Sequence, residues 1–182
     1  MREMRQNIRA IHLHIMQETI SVDLDATDLR LLEELQNDAS LSNQDLAAAA
    51  HTSPATALRR VRRLVDSGVI DRRVALLNPE RLSRFLGAEG LTVIVEISLD
   101  RQGAEHLDAF EQRVLPDAEV QQLWRVSPGP DFVLVVHCTG GMPGYQALVQ
   151  RLFTQDANVR NVKAYFGVKR AKFDPRVVLR SA

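Results

Sequence analysis

The stretch over residues 42–64, SNQDLAAAAHTSPATALRRVRRL, decides the reading of this chain. Its second half reads as a helix with two unlike faces. Advancing about 100° per residue, Ala57, Val61, Leu64 and Val65 gather on one side, and Ala55, Thr56, Arg59, Arg62 and Arg63 on the other. Ser53 is a good N-cap and Pro54 suits the first helical position, so the helix is predicted to begin there with its amide end exposed. Ahead of it, Ser42, Asn43, Gln44 and Asp45 open a polar first turn, and the small residues Ala47, Ala49 and Ala50 let a neighbouring helix approach closely. His51 and Thr52 form the short turn between them. His51 takes a place often given to glycine, which a histidine can fill in a left-handed conformation at modest cost. Together these are the layout of a helix-turn-helix, whose second helix enters the major groove. Most charged helix faces are merely solvated. Here the arginines come with a turn, a cap and a small-residue partner helix in the order a recognition element needs.

Composition sets wider limits. At 182 residues and 45% hydrophobic, the chain can bury one large core or two small ones. Its 23 basic and 23 acidic residues cancel, but their distribution does not. Residues 22–49 carry seven carboxylates against Arg30 alone, whereas residues 50–73 carry six arginines against Asp66 and Asp71. A local basic surface beside an acidic one can steer DNA to one side of a domain whatever the net charge. Cys138 is the only cysteine, which excludes an intrachain disulfide and a cysteine-cluster metal site; it lies in an apolar run and reads as a small core residue. No apolar run reaches the roughly 18 residues needed to span a bilayer, and the N-terminus lacks a signal-peptide core. A soluble cytoplasmic protein, with no membrane partner, no metal and no cofactor, is the expectation.

Along the chain, residues 1–21 read as an arm in which Ile8, Ile11 and Ile15 keep a loose helical spacing, with Met16 as an alternative start. His12 and His14 would point apart on a helix, so a metal site there is not expected. Asp25 begins the first firm helix, with Leu29, Leu32 and Leu35 on one side, and Gly68 ends the basic helix. Residues 69–77 then read as a short hairpin, or wing, carrying Arg72 and Arg73. Residues 78–90, with Pro79, Gly87 and Gly90, read as the linker between a DNA-binding domain over 22–77 and a second domain over 91–182. In the latter the periodicity follows a β-α-β-β-α-β order: strands over 92–99, 119–126, 132–138 and 162–170, and amphipathic helices through Ala104, Leu107, Phe110 and Val114 and through Tyr145, Leu148, Val149, Leu152 and Phe153. The fold class expected is therefore α+β, a winged helix-turn-helix followed by a ferredoxin-like βαββαβ domain. Two helices cover one face of such a sheet. A second copy is the simplest cover for the other, which predicts dimerisation through this domain.

The order of motifs resembles the Lrp/AsnC family of transcription regulators. The resemblance runs from about Leu24 to the end. It rests on Leu24-Asp25-x-x-Asp28, Ser53-Pro54-x-x-x-Leu58-x-Arg60-Val61-x-Arg63-Leu64, Gly68-Val69-Ile70 and Ala75-Leu76-Leu77-Asn78-Pro79-Glu80-x-Leu82. It implies a regulator that binds double-stranded DNA, assembles as a homodimer that can build to an octamer, and responds to an amino-acid effector, with no catalytic residues. On that resemblance the DNA-contacting positions are Asn43, Ser53, Ala55, Thr56, Arg59, Arg60 and Arg63. The basic helix face and the wing add Arg62, Arg72 and Arg73. Arg60 lies to the side of the basic face, where a phosphate or an intradomain carboxylate suits it better than a base.

The resemblance places the effector site in the loop between the second and third strands, at Ser127, Pro128, Gly129, Asp131 and Phe132, with Ala164 lining it from the last strand. The family's usual Gly-x-x-Asp-aromatic loop is altered here, since proline replaces the glycine, Pro128 and Pro130 lack amide donors, and Ala164 stands where a threonine is common. For Asp131 the plainer expectation is a turn residue capping its own backbone. Two other readings compete. An architectural DNA-binding protein would bind many phosphates with little sequence preference. A sirohaem-decarboxylase-like enzyme shares the two-domain architecture, but His106 and His137 stand without a paired acid, nucleophile or phosphate loop in recognisable spacing.

Overall fold

The computed structural model describes residues 23–179 apart from residue 88, so the arm expected over 1–21, including His12 and His14, lies outside the described residues. The chain divides into two compact units. The first runs to Ala75 and takes in the chain again from Asp174; the second is Leu76–Phe173.

Three helices build the first unit: α1 (Ala26–Asn37), α2 (Asn43–Ala49) and α3 (Pro54–Asp66). Each starts where its sequence supplies an acceptor for otherwise unpaired amides. Asp25 caps α1 through a reciprocal box: its side chain accepts from the Thr27 and Asp28 amides, and Asp28 accepts from the Asp25 amide. Ser42 caps α2 and Ser53 caps α3, with Pro54 in the first turn. Ala47, Ala50 and Ala57 are buried where the helices meet, joined by Leu31, Leu46 and Val61. His51 takes the left-handed conformation, φ 54°, that the tight turn requires.

Two expectations fail beyond α3. No strand forms over residues 69–77, so the expected hairpin is absent; after Ile70, whose amide bonds to the Leu64 carbonyl, the chain has no regular structure until Asn78. The reason is local. Asp71-Arg72-Arg73 has no glycine and only one residue that readily takes the positive φ of a tight hairpin turn, and two very short arms cannot hold a ladder alone. The expected linker over 78–90 instead contains a helix, α4 (Pro79–Leu86), capped by the Asn78 side chain and closed by Gly87 at φ 64°. The proline and glycine that suggested a loop bracket a helix, as helix-entry and helix-exit residues do.

The second unit continues with β1 (Gly90–Leu99), α5 (Ala104–Val114), β2 (Val120–Arg125), β3 (Phe132–Thr139), α6 (Gly141–Val149), whose last turn widens over Gln150–Thr154, and β4 (Val159–Phe166). The sheet is antiparallel in the order β2-β3-β1-β4. The last strand ends at Phe166 and not at residue 170, because Gly167 makes the final bond to the Thr92 carbonyl before the chain leaves the sheet. Strict alternation on β1 and β3 turns Val93, Val95, Ile97 and Leu99, and Phe132, Leu134, Val136 and Cys138, onto α5 and α6. Phe110 stacks between Phe132 and Phe153, with ring centroids 4.6 and 6.4 Å apart. Burial pushes the Cys138 thiol up to about 11, as befits a core residue.

The opposite face of the sheet is open. Across the strands run the rows Tyr165, Ile94, Val135, Gln122 and Lys163, Glu96, Val133, Trp124, with Ile94, Trp124 and Tyr165 exposed.

Two predictions follow from these packing details. At the start of α6 a Cβ on Gly144 would lie 2.0 Å from the Thr139 carbonyl oxygen, so Gly144→Ala should destabilise the second unit by about 2–3 kcal/mol in urea unfolding. The Asp28 amide, and after it the Arg60 guanidinium, hold the Asp25 carboxyl near 2, below its ordinary 3.8. That stabilisation is complete above the ordinary value and disappears as pH falls through about 2. The difference in urea midpoint between the native chain and Asp25→Ala should therefore be constant near neutral pH and shrink across that acid window.

Candidate nucleic-acid interface

The candidate interface is the exposed face of α3, and a buried carboxylate sets its geometry. Asp28, in the first turn of α1, is wholly buried. A lone carboxylate in that position would be costly, and α3 supplies two guanidinium groups to offset it. Arg63 Nη2 donates to Asp28 Oδ2 at 2.5 Å. Arg60 Nη1 donates to Asp25 Oδ2 at 2.7 Å and lies 3.0 Å from Asp28 Oδ1, off the hydrogen-bond axis, as an ion pair. Both carboxylates raise the Arg60 pKa further, Asp25 first. Arg60 is only 20% exposed, whereas Arg63 keeps 44% of its side chain in solvent.

This sorts the four arginines of α3. Arg60 meets carboxylates of its own unit, as its place beside the basic face suggests. Arg63 is tied at one nitrogen and still half in solvent. Arg59 and Arg62 are exposed, and among the described residues no hydrogen bond or ion pair holds either. Ala55, Leu58, Arg59, Arg62 and Arg63 line one shallow concave surface along the helix, with Asp66 and Ser67 at its end. At the amide end of α3, the Ser53 hydroxyl donates to Thr56 Oγ1 at 2.9 Å and accepts from the Thr56 amide at 3.3 Å. The Asn43 side-chain Nδ2 donates to the Pro54 carbonyl at 2.9 Å, pinning α2 to the start of α3. Arg72 and Arg73 are exposed on the irregular segment that replaces the wing, Arg72 beside Asp71 at 3.3 Å. The sequence reading missed Asp28 as the anchor of Arg60 and Arg63. The available signal was an acid in the third position of α1 facing two arginines three residues apart.

The loop expected to take an effector is partly built into the core and partly exposed. Phe132 is fully buried in the stack with Phe110, with the Arg125 guanidinium 5.9 Å from its ring centre, so its ring belongs to the core. Asp131 accepts from the Leu99 amide at 2.7 Å and donates its own amide to the Ile97 carbonyl, so it caps the neighbouring strand and not its own turn. Ser127, Pro128 and Gly129 are exposed, with a cis peptide before Pro128 and φ 130° at Gly129. Ala164 pairs with Val95 on the helix-covered side of the sheet. Among the described residues no cluster of three or more His, Cys, Asp or Glu could hold a metal, and no helix is long and apolar enough to cross a membrane.

Comparison with known proteins matches both units. Residues 24–71 match the family model described as winged helix-turn-helix DNA-binding, and residues 92–177 that of the Lrp/AsnC ligand binding domain. The chain is 34% identical over 160 residues to the Bkd operon transcriptional regulator of Pseudomonas aeruginosa, covering 88% of this chain and 97% of that one. It is 32% identical over 159 residues to the leucine-responsive regulatory protein of Escherichia coli, covering 87% and 93%. Among solved structures, a transcriptional regulator of Neisseria meningitidis in complex with L-Met superposes with a TM-score of 0.75 at 26% identity, covering 86% of this chain and 97% of that one. Two matched units in the right order, over nearly the whole described chain, place this protein in the Lrp/AsnC family of DNA-binding transcription regulators.

Proposed function

We propose that this chain reads DNA sequence through α3 as a cytoplasmic homodimer, and that an amino acid bound at the 127–131 loop changes its DNA affinity. The observation that carries the reading is the contrast among the arginines of α3. Arg60 and Arg63 are occupied in holding the helix on α1, while Arg59 and Arg62 stand on the exposed face beside Ala55 and Thr56. Guanidinium groups held on a rigid helix suit both guanine edges and phosphates. Dimerisation is supported by the open sheet face, where exposed Ile94, Trp124 and Tyr165 adjoin Val133 and Val135. Two α3 helices would then read half-sites about one helical turn apart, or a multiple of it.

The effector is inferred from the L-Met complex of the Neisseria relative and the name of the leucine-responsive one. In this chain Pro128 and Pro130 bring no amide donors, and the Asp131 amide is bonded to Ile97. Ser127 and Gly129 are left to supply the backbone N–H groups of the exposed part of the loop.

The test is binding of the purified protein to its own upstream DNA and to a scrambled duplex, at two salt concentrations and with a panel of amino acids. A preference for the native duplex that persists in the higher salt and shifts with one amino acid supports the proposal. Equal, salt-sensitive binding to both duplexes would favour architectural binding instead. Arg59→Ala and Arg62→Ala should each weaken binding by about 1–3 kcal/mol where the residue meets a base, with Tm unchanged. Asp28→Ala should act on stability, lowering it by about 2 kcal/mol, less than for a sealed ion pair because Arg63 can turn to water.

A further inference from the structure

The last described residues do not trail from the sheet. Beyond Phe173 the chain joins the first unit, and its contacts there are specific. The Gln36 side chain, in the last turn of α1, meets the backbone of Val177 from both sides. The Val177 amide donates to Gln36 Oε1 at 2.7 Å, and Gln36 Nε2 donates to the Val177 carbonyl at 3.1 Å. A side-chain amide thus pairs with one residue of extended chain as a neighbouring strand would. Next to it, Arg176 Nη1 donates to Asn37 Oδ1 at 2.6 Å, while Arg176 Nε and Nη2 each lie 2.9 Å from an Asp174 oxygen, a forked pair that fixes the guanidinium. The last turn of α1 has no basic residue of its own, and Arg176 brings a cation to the negative end of that helix.

The covalent consequence is definite. The DNA-reading unit is joined to the sheet unit once at Ala75–Leu76 and again at Phe173–Asp174. The first connection lies in the irregular segment before Asn78. The second is short: the seven residues 167–173 between β4 and the docked segment span at most about 25 Å when fully extended. A unit held by one irregular connection samples a wide volume, and a second short connection removes much of it.

We infer that residues 174–179 are a strap which, docked on Gln36 and Asn37, restrains the reach of the DNA-reading unit and so sets which half-site spacings the dimer accepts. This rests on the DNA-reading proposal above. In a dimer the second α3 binds its half-site from an effective concentration that its tethers determine, so tethers of limited reach penalise wrong spacing and loose tethers forgive it.

The full-length protein, Gln36→Ala and a chain ending at Phe173 provide the test. Amide hydrogen exchange is read at Val177, and binding is measured on a duplex selected by the protein from random DNA and on the same duplex with half a helical turn, about 5 bp, inserted between its half-sites. The expected results are a protected Val177 amide that loses protection in Gln36→Ala, and an insertion that costs about 100-fold in affinity for the full-length chain but about tenfold or less for both variants. A Val177 amide that exchanges freely in the full-length chain overturns the docking. A protected amide with the same insertion penalty in all three proteins overturns the role in spacing. Failure of the full-length chain to select any duplex overturns the DNA-reading proposal itself, and the strap's role with it, whatever Val177 shows.

Discussion

The buried carboxylate of Asp28 is the constraint on which the reading surface depends. It is the one charged side chain fully buried among the described residues, and such a group persists only with opposite charge and hydrogen bonds around it. The Asp25 amide, Arg60 and Arg63 provide them. Because both arginines come from the middle of α3, satisfying Asp28 also fixes the rotation of α3 about its axis. The face left outward is then the one that carries Ala55, Thr56, Arg59 and Arg62. An apolar contact could hold α3 equally close, but hydrophobic contact is non-directional, and a recognition helix needs its angle defined as well as its depth.

The second unit solves a different problem. Its core is a three-ring stack under α5 and α6 with alternating strands beneath, and this fills one face of the sheet only. The loop before β3 is tied to the same core, since Phe132 is part of the stack and Asp131 caps β1. Rigid loop ends and an exposed Ser127-Pro128-Gly129 tip therefore sit on a single scaffold. β1 and β3, which hold the end of that loop, carry the open apolar rows on their other side. The proposed effector loop and the proposed dimer surface thus share β1 and β3.

Features set by neighbours in sequence were legible from the residues. Caps at Asp25, Ser42 and Ser53, the proline at the start of α3, the alanines between helices and the alternation of β1 and β3 all act within a few residues, so their patterns survive in one dimension. Where the reading failed, a local signal admitted two outcomes. Pro79 and Gly87 can interrupt a chain or bracket a helix, and the Asn78 side chain, bonded to the Arg81 amide, is what settled it. The apolar residues of 69–77 suit a strand, but a strand needs a partner, and the turn between them could not bring one.

What the sequence determined by itself was the order of elements, the polarity of each face and the presence of a basic recognition helix, because these follow from periodicity and capping. Only the tertiary structure decided that Arg63 is tied to a buried carboxylate 35 residues away while, among the described residues, Arg59 and Arg62 are held by none. It alone placed Phe132 in the core and drew Val177 back onto Gln36 across 141 residues. Charge compensation, stacking and side-chain pairing over such distances depend on positions in space, which spacing along the chain does not encode.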